Sequence, residues 1–359
     1  MIRSISYYDV LQKAAEATGR IFADLSVQEA GLFKGFINTR LKEMWEAWNW
    51  PDLMMGEERK FRADWDAGTT YAAGAEVYFL PAKKYYQSLR GTNLNHEPAT
   101  GTPLVETSAW WAECATGYSG TDYDAATAYA VGAKVLYSVT GRYYQKHTAS
   151  AAGVAPTDTT RWGVLTPFNR YVAWEQTGKS KLGDVLEVYD RDPEIFEGAL
   201  ALTWRETPLG IHVYDNVPTC WPRWRKILPF LKGNAFSATP AYAVGDQVYY
   251  QVTSASGIVS ADFYECITAT TAGDLPSTDK WAKVEIPFIF GEWLIHASAA
   301  DMLSKDGKDD WSRDEMVLAT GMKLHELDKQ ERQKGQEPPL RVKQRDSSLY
   351  SWGMTPART

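Results

Sequence analysis

The sequence predicts an α+β protein: a helical core with a small β-sheet, into which three small all-β modules are inserted. Three observations predict it. Capped helical stretches lie at both ends of the chain, short alternating β runs lie between them, and one β-type motif, Tyr-x-x-Gly-x-x-Val, occurs three times at unequal spacing. Such spacing marks the motif as an addition to a separate framework.

The bulk numbers bound the answer. A chain of 359 residues, 44% hydrophobic, is long enough for two or more domains with cores of their own. Cys114, Cys220 and Cys266 lie far apart with no C-x-x-C spacing, which argues against a disulfide framework or thiolate zinc cluster and points to a reducing cytoplasm. The N-terminal "MIRSISYYDVLQ" has no apolar signal core, and no run of about 18 apolar residues occurs, so a soluble chain without a membrane partner is expected. A formal charge of −7 argues against a protein that clamps nucleic acid, since such binding needs an excess of Lys and Arg.

The elements follow in order. A first helix is expected with Ser6 as cap, Asp9 in its first turn and Gly19 near its end. The second opens on the capping box Ser26-x-x-Glu29. Phe33, Phe36, Ile37, Leu41, Met44, Trp45 and Trp48 then form one apolar stripe until Pro51 stops it. This helical hairpin occupies residues 1–62.

Repeat 1 (63–115) and repeat 2 (116–165) follow in tandem, and repeat 3 (233–284) stands apart. Each opens with an aromatic six residues before its first tyrosine: Trp65 before Tyr71, Tyr123 before Tyr129, Phe236 before Tyr242. Gly74, Gly132 and Gly245 then fall where a turn needs positive φ, and Val77, Val135 and Val248 start an alternating strand. An aromatic pair follows, Tyr85-Tyr86, Tyr143-Tyr144 or Phe263-Tyr264. Each repeat closes with a tryptophan, Trp111, Trp162 or Trp281. The pattern reads as a three-stranded unit held by aromatic packing. Because neighbouring strand residues face opposite ways, Tyr86, Tyr144 and Tyr264 are expected inside. Tyr85, Tyr143 and Phe263 are expected outside, as contacts for a glycan or a neighbouring subunit.

Residues 166–232 read as β structure, with Val185, Ile211, Val213 and Ile227 in short alternating runs, a compact sheet packed on the helices. Repeat 3 is expected to leave this sheet between two adjacent strands, a tolerated insertion point. In residues 285–345, Ile289, Trp293, Ala297 and Ala300 keep helical spacing until Asp306-Gly307. A last helix, capped by Ser312 with Glu315, is expected to bury Met316, Ala319, Thr320, Leu324 and Leu327. Residues 346–359 form an extended tail in which Leu349, Tyr350 and Trp352 are candidate partner anchors.

Chemical motifs are not evident, so no catalytic residue, metal site or cofactor is expected. "TGKS" at 177–180 lacks the first P-loop glycine, since position 173 is Ala173. His96, His147, His212, His296 and His325 show no metal-binding spacing. Asp190, Asp192, Glu194 and Glu197 are interrupted by Pro193, and no G-x-S-x-G elbow occurs.

The repeats resemble the chitin-binding modules of carbohydrate-binding families 5 and 12, which share the order aromatic, Tyr-x-x-Gly-Asp-x-Val-x-Tyr, Tyr, Trp; only Gly245-Asp246 keeps the Gly-Asp. In those modules an exposed aromatic pair after the second tyrosine stacks on sugar rings. Here that stretch reads "YQSLRGT", "YQKHTAS" and "YECITAT", so the platform is missing from its usual place. The remaining blocks, with "WEAWNWPDL", "VYDRDP", "WPRWRKILPF" and "IPFIFGEWLIHASAADMLSKDGKDD", resemble the head-to-tail adaptor (connector, neck) proteins of tailed bacteriophages. That resemblance implies a structural virion protein rather than an enzyme, made in the host cytoplasm. It implies a homo-oligomeric ring, usually twelve-fold, between the portal protein and tail or neck proteins, with genomic DNA passing through its lumen without sequence-specific binding. Leu349, Tyr350 and Trp352 would then dock on the portal. The alternative is a carbohydrate-binding protein or virion decoration that recognises a host-surface or chitin-like polysaccharide.

Overall fold

A computed structural model describes residues 4–254, 257–276 and 279–334. The protein is α+β. It divides into two compact units, Met1–Asp52 with Leu228–Thr359, and Leu53–Ile227. The second is a continuous stretch of chain whose ends lie side by side, since Lys226 N–H donates to Leu53 O at 2.9 Å.

The first unit holds the four α-helices found among the described residues. Helix α1, Tyr7–Ala17, starts where the Ser6 hydroxyl accepts Asp9 N–H, and gives way at Gly19, φ 77°. Helix α2, Val27–Ala47, opens on the expected capping box, with Ser26 Oγ accepting Glu29 N–H and the Glu29 carboxylate accepting Ser26 N–H. Its stripe of Phe33, Ile37, Leu41, Met44 and Trp45 is buried, with Phe36 and Trp48 half-buried beside it. Helix α3, Gly291–Lys305, is buried nearly all round because it packs against α1, α2 and the last helix, α4, Asp309–Lys334. A short pair, Ser4–Ile5 with Ile286–Pro287, joins the two ends of the unit.

Helix α4 departs from expectation. Ser312 is not its cap but lies inside it, and its hydroxyl donates to Ala300 O of α3 at 2.8 Å. Of the five residues expected to be buried only Ala319 is; Met316 and Leu327 are half-buried, and Thr320 and Leu324 are exposed. The helix meets its unit along a strip of Ser312, Glu315, Ala319 and Lys323, so side chains on its flanks face solvent.

In the second unit, strand Thr219–Arg225 pairs with Asp184–Tyr189 on one side and with Met54–Gly56 and Arg59–Lys60 on the other. A three-stranded sheet of Tyr171–Ala173, Gly210–Val213 and Trp204–Thr207 packs with it. Val185, Ile211 and Val213 are buried as expected. Ile227 is not; the alternation ends at Arg225, and Ile227 is half exposed. Repeat 3 does not interrupt a sheet either. The strand before it, Thr219–Arg225, and the one after it, Ile286–Pro287, belong to different sheets, since Ile286 pairs with Ile5.

All three repeats fold alike. In repeat 1, Glu76–Phe79, Lys84–Ser88 and Trp111–Glu113 form an antiparallel sheet. The counterparts are Lys134–Tyr137, Arg142–Lys146 and Trp162–Val164 in repeat 2, and Gln247–Ser254, Gly257–Cys266 and Trp281–Lys283 in repeat 3. Repeats 2 and 3 add a two-residue leading strand that pairs in parallel, Thr121–Asp122 and Asn234–Ala235; repeat 1 has a single parallel bridge, Asp64 to Tyr78. A two-residue strand is too short to show alternation, so the sequence reads as three strands where the sheets of repeats 2 and 3 have four.

Candidate functional site: the two faces of each repeat

One face of each sheet is an aromatic cluster with recurring geometry. The leading aromatic, first tyrosine and closing tryptophan come together. Tyr71–Trp111, Tyr129–Trp162 and Tyr242–Trp281 meet edge to face with centroids 5.3, 5.5 and 5.2 Å apart. The hydroxyls of Tyr71, Tyr129 and Tyr242 accept the N–H of Asp66, Asp124 and Ser237, one residue past the leading aromatic. Sequence reading assigns these tyrosines to the core; their pinning of the leading strand emerges only from the structure. Gly74, Gly132 and Gly245 have φ of 85°, 90° and 90°, and their N–H groups donate to Ser88, Lys146 and Cys266 O. Tyr86 and Tyr144 are buried here as expected, and burial pushes the Tyr86 hydroxyl up to about 12. Tyr264 corrects the expectation: it is only half-buried.

The opposite face holds the residues expected outside, and there the expectation fails twice. Tyr85 and Phe263 are buried and Tyr143 is half-buried. Alternation is obeyed, but this second face is a docking face within the chain. Tyr85 stacks on Phe168 at 4.7 Å, accepts Phe61 N–H and donates to Pro218 O, so repeat 1 is rooted in the core of its unit. Burial raises its hydroxyl far above the ordinary range. Tyr143 of repeat 2 packs with Tyr118 against Leu89, Ala112 and Leu165, which joins repeat 2 to repeat 1. Phe263 of repeat 3 meets Tyr7 of α1 edge to face at 4.9 Å, with Lys34 of α2 above its ring.

Buried polar groups complete these joints. Gln87 Nε2 donates to Val164 O and its Oε1 accepts Thr166 N–H, both at 3.0 Å, while Gln145 Nε2 donates to Glu106 Oε1 at 2.8 Å. Asp262, 3% exposed, accepts Tyr7 N–H at 2.9 Å and pairs with Lys283 at 2.7 Å. It satisfies the first backbone donor of α1, where the helix dipole favours a negative charge. None of these three was a candidate. For the two glutamines there is a signal, "YYQ" in both tandem repeats; Asp262 stands just before the third repeat's "FYE" and shares no such pattern.

An outward platform of flat aromatic faces is therefore not formed by Tyr85, Tyr143 and Phe263. Repeat 1 carries an extra hairpin, Ala99–Thr100 with Val105–Glu106, which borders a cavity of about 480 Å³ lined by Trp65, Phe79, Leu80 and Leu104. Leu349, Tyr350 and Trp352 lie outside the described residues. Residues 177–180 sit in a turn between strands with Gly178 at φ 73°, not at a helix N-terminus. Asp190 is engaged by Arg191 and Leu200 N–H. Among the described residues no three His, Cys, Asp or Glu side chains gather to hold a metal, and no helix is long and apolar enough to cross a membrane. No protein-family model matches the chain, and no curated protein matches it.

Proposed function

We propose that the protein is a structural, ring-forming adaptor of a phage neck, a helical core with inserted β modules that works by subunit and partner docking rather than by chemistry. The observation that carries it is α4. This 26-residue helix exposes Trp311 (61%), Val317 (65%), Leu318 (47%), Met322 (40%) and Leu324 (60%). Apolar side chains gathered on one exposed helix favour a partner, because burying each releases ordered water at about 25 cal/mol per Å². Trp311, Leu318 and Met322 share one stripe at i, i+7, i+11, as a helix lying along a neighbouring subunit requires. In this reading the partners are further copies of the chain, a portal ring and tail proteins.

The carbohydrate reading loses support in proportion, because two of its three nominated aromatics are spent on contacts inside the chain. The test is the mass of the purified protein by light scattering. A ring many times the 40.3 kDa of one chain is expected, and Leu318→Asp with Met322→Asp should break it into smaller species. A stable monomer at all concentrations would sink the proposal.

A further inference from the structure

The three repeats match by register, and among the described residues one docking face is left half uncovered. Across each sheet one row reads Glu76–Gln87–Ala112 in repeat 1, Lys134–Gln145–Gly163 in repeat 2 and Gln247–Glu265–Ala282 in repeat 3. Two residues on, Leu89, His147 and Ile267 are equivalent, since their N–H groups donate to Trp110, Arg161 and Lys280 O. In the tandem pair this end of the face is closed: Gln87 and Gln145 are fully buried, and Leu89 and His147 are 2% and 3% exposed. In repeat 3 the lower end is closed by α1 through Phe263. At the upper end Glu265 and Ala282 are exposed, and Ile267 is 51% exposed.

The exchange of glutamine for Glu265 decides what can cover it. Gln87 bonds its neighbour in both directions, donating to one backbone carbonyl and accepting one N–H. A carboxylate only accepts. Another repeat docked in the tandem manner would set a strand carbonyl against Glu265, and acceptor would face acceptor. The occupant must bring donors, with an apolar group beside them for Ile267.

We infer that the free end of this face, Glu265, Ile267 and Ala282, is the docking site of the chain's own C-terminal segment, residues 335–359. Charge complementarity favours it: the segment holds Arg341, Lys343, Arg345 and Arg358 against Glu337 and Asp346, in a chain whose total is −7. Arg341, Lys343 and Arg345 precede Leu349, Tyr350 and Trp352, a basic patch followed by apolar anchors, which matches Glu265 beside Ile267. The segment is long, extending up to about 80 Å, roughly twice the length of α4 at about 1.5 Å per residue. Tethering sets the source. A segment on the same unit competes at an effective concentration near the millimolar range, which a second copy does not match in dilute solution.

The test uses the full chain with a photo-crosslinking amino acid in place of Ala282, and mass spectrometry to locate the joined peptide. A crosslink to residues 335–359 within one chain is expected, and Glu265→Arg should cut its yield at least about tenfold. Reversing Arg341, Lys343 and Arg345 to Glu should do the same, and combining both changes should restore the yield. That rescue separates a docking contact from a folding defect. A crosslink to a second copy, to any other surface or to none would overturn the inference, as would a yield unchanged by Glu265→Arg. Repeating it on the Leu318→Asp, Met322→Asp variant, which has no ring neighbours, reads contact within one chain and keeps the outcome independent of whether a ring forms.

Discussion

At the scale of single residues, two glycines show different reasons for having no side chain. Gly245 has φ 90° and open space around it, so Gly245→Ala brings backbone strain alone, about 1 kcal/mol. Gly163 has an ordinary backbone, but a Cβ there would lie 2.6 Å from Leu89 O and 2.8 Å from Leu89 Cβ. Gly163→Ala must push repeats 1 and 2 apart and is expected to cost more, on the order of 2–3 kcal/mol. Thermal unfolding of both variants checks the order. Equal midpoints would mean the tandem joint yields easily.

At the scale of elements, repeat 3 is tied to α1 and is more than an appendage. Tyr7 is 4% exposed because Tyr249 and Phe263 cover it, at 5.8 and 4.9 Å, and Asp262 holds its N–H. Removing that carboxylate leaves a buried helix-start donor without a partner, so Asp262→Ala is expected to cost about 2 kcal/mol. Deleting residues 236–282 removes the rings as well, and should lower helix content and the unfolding midpoint together by circular dichroism. A deletion variant as stable as the full chain would show that α1 stands without the repeat. The aromatic cluster of each repeat was legible in the sequence, since tyrosine, glycine and tryptophan recur at set places. The docking faces were not, because alternation says which residues share a face but not what lies against it.

At the scale of the whole molecule, the division of the chain follows contacts rather than sequence blocks. Leu53–Ile227 is continuous, has its own core from Phe61 to Trp224, and closes on itself through Lys226 and Leu53. Expressed alone, this stretch is expected to unfold in one cooperative transition, as a single compact domain does. A fragment without a cooperative melt would mean that its core is completed from elsewhere.

By itself the sequence determined whatever depends on near neighbours along the chain: the caps of α1 and α2, the stripe of α2, the turn glycines of the repeats and their inner Tyr86 and Tyr144. Those are set by backbone conformation and by periods of two or 3.6 residues, which act over a few positions. Only the tertiary structure decided that Tyr85 and Phe263 are buried, that Ser312 bonds α3 instead of capping α4, and that Glu265 stands exposed where Gln87 and Gln145 are enclosed. Each of those depends on groups 12 to more than 250 positions away, as with Tyr7 and Asp262. Burial at that range is set by which surface arrives to exclude water, and no local pattern of residues encodes it.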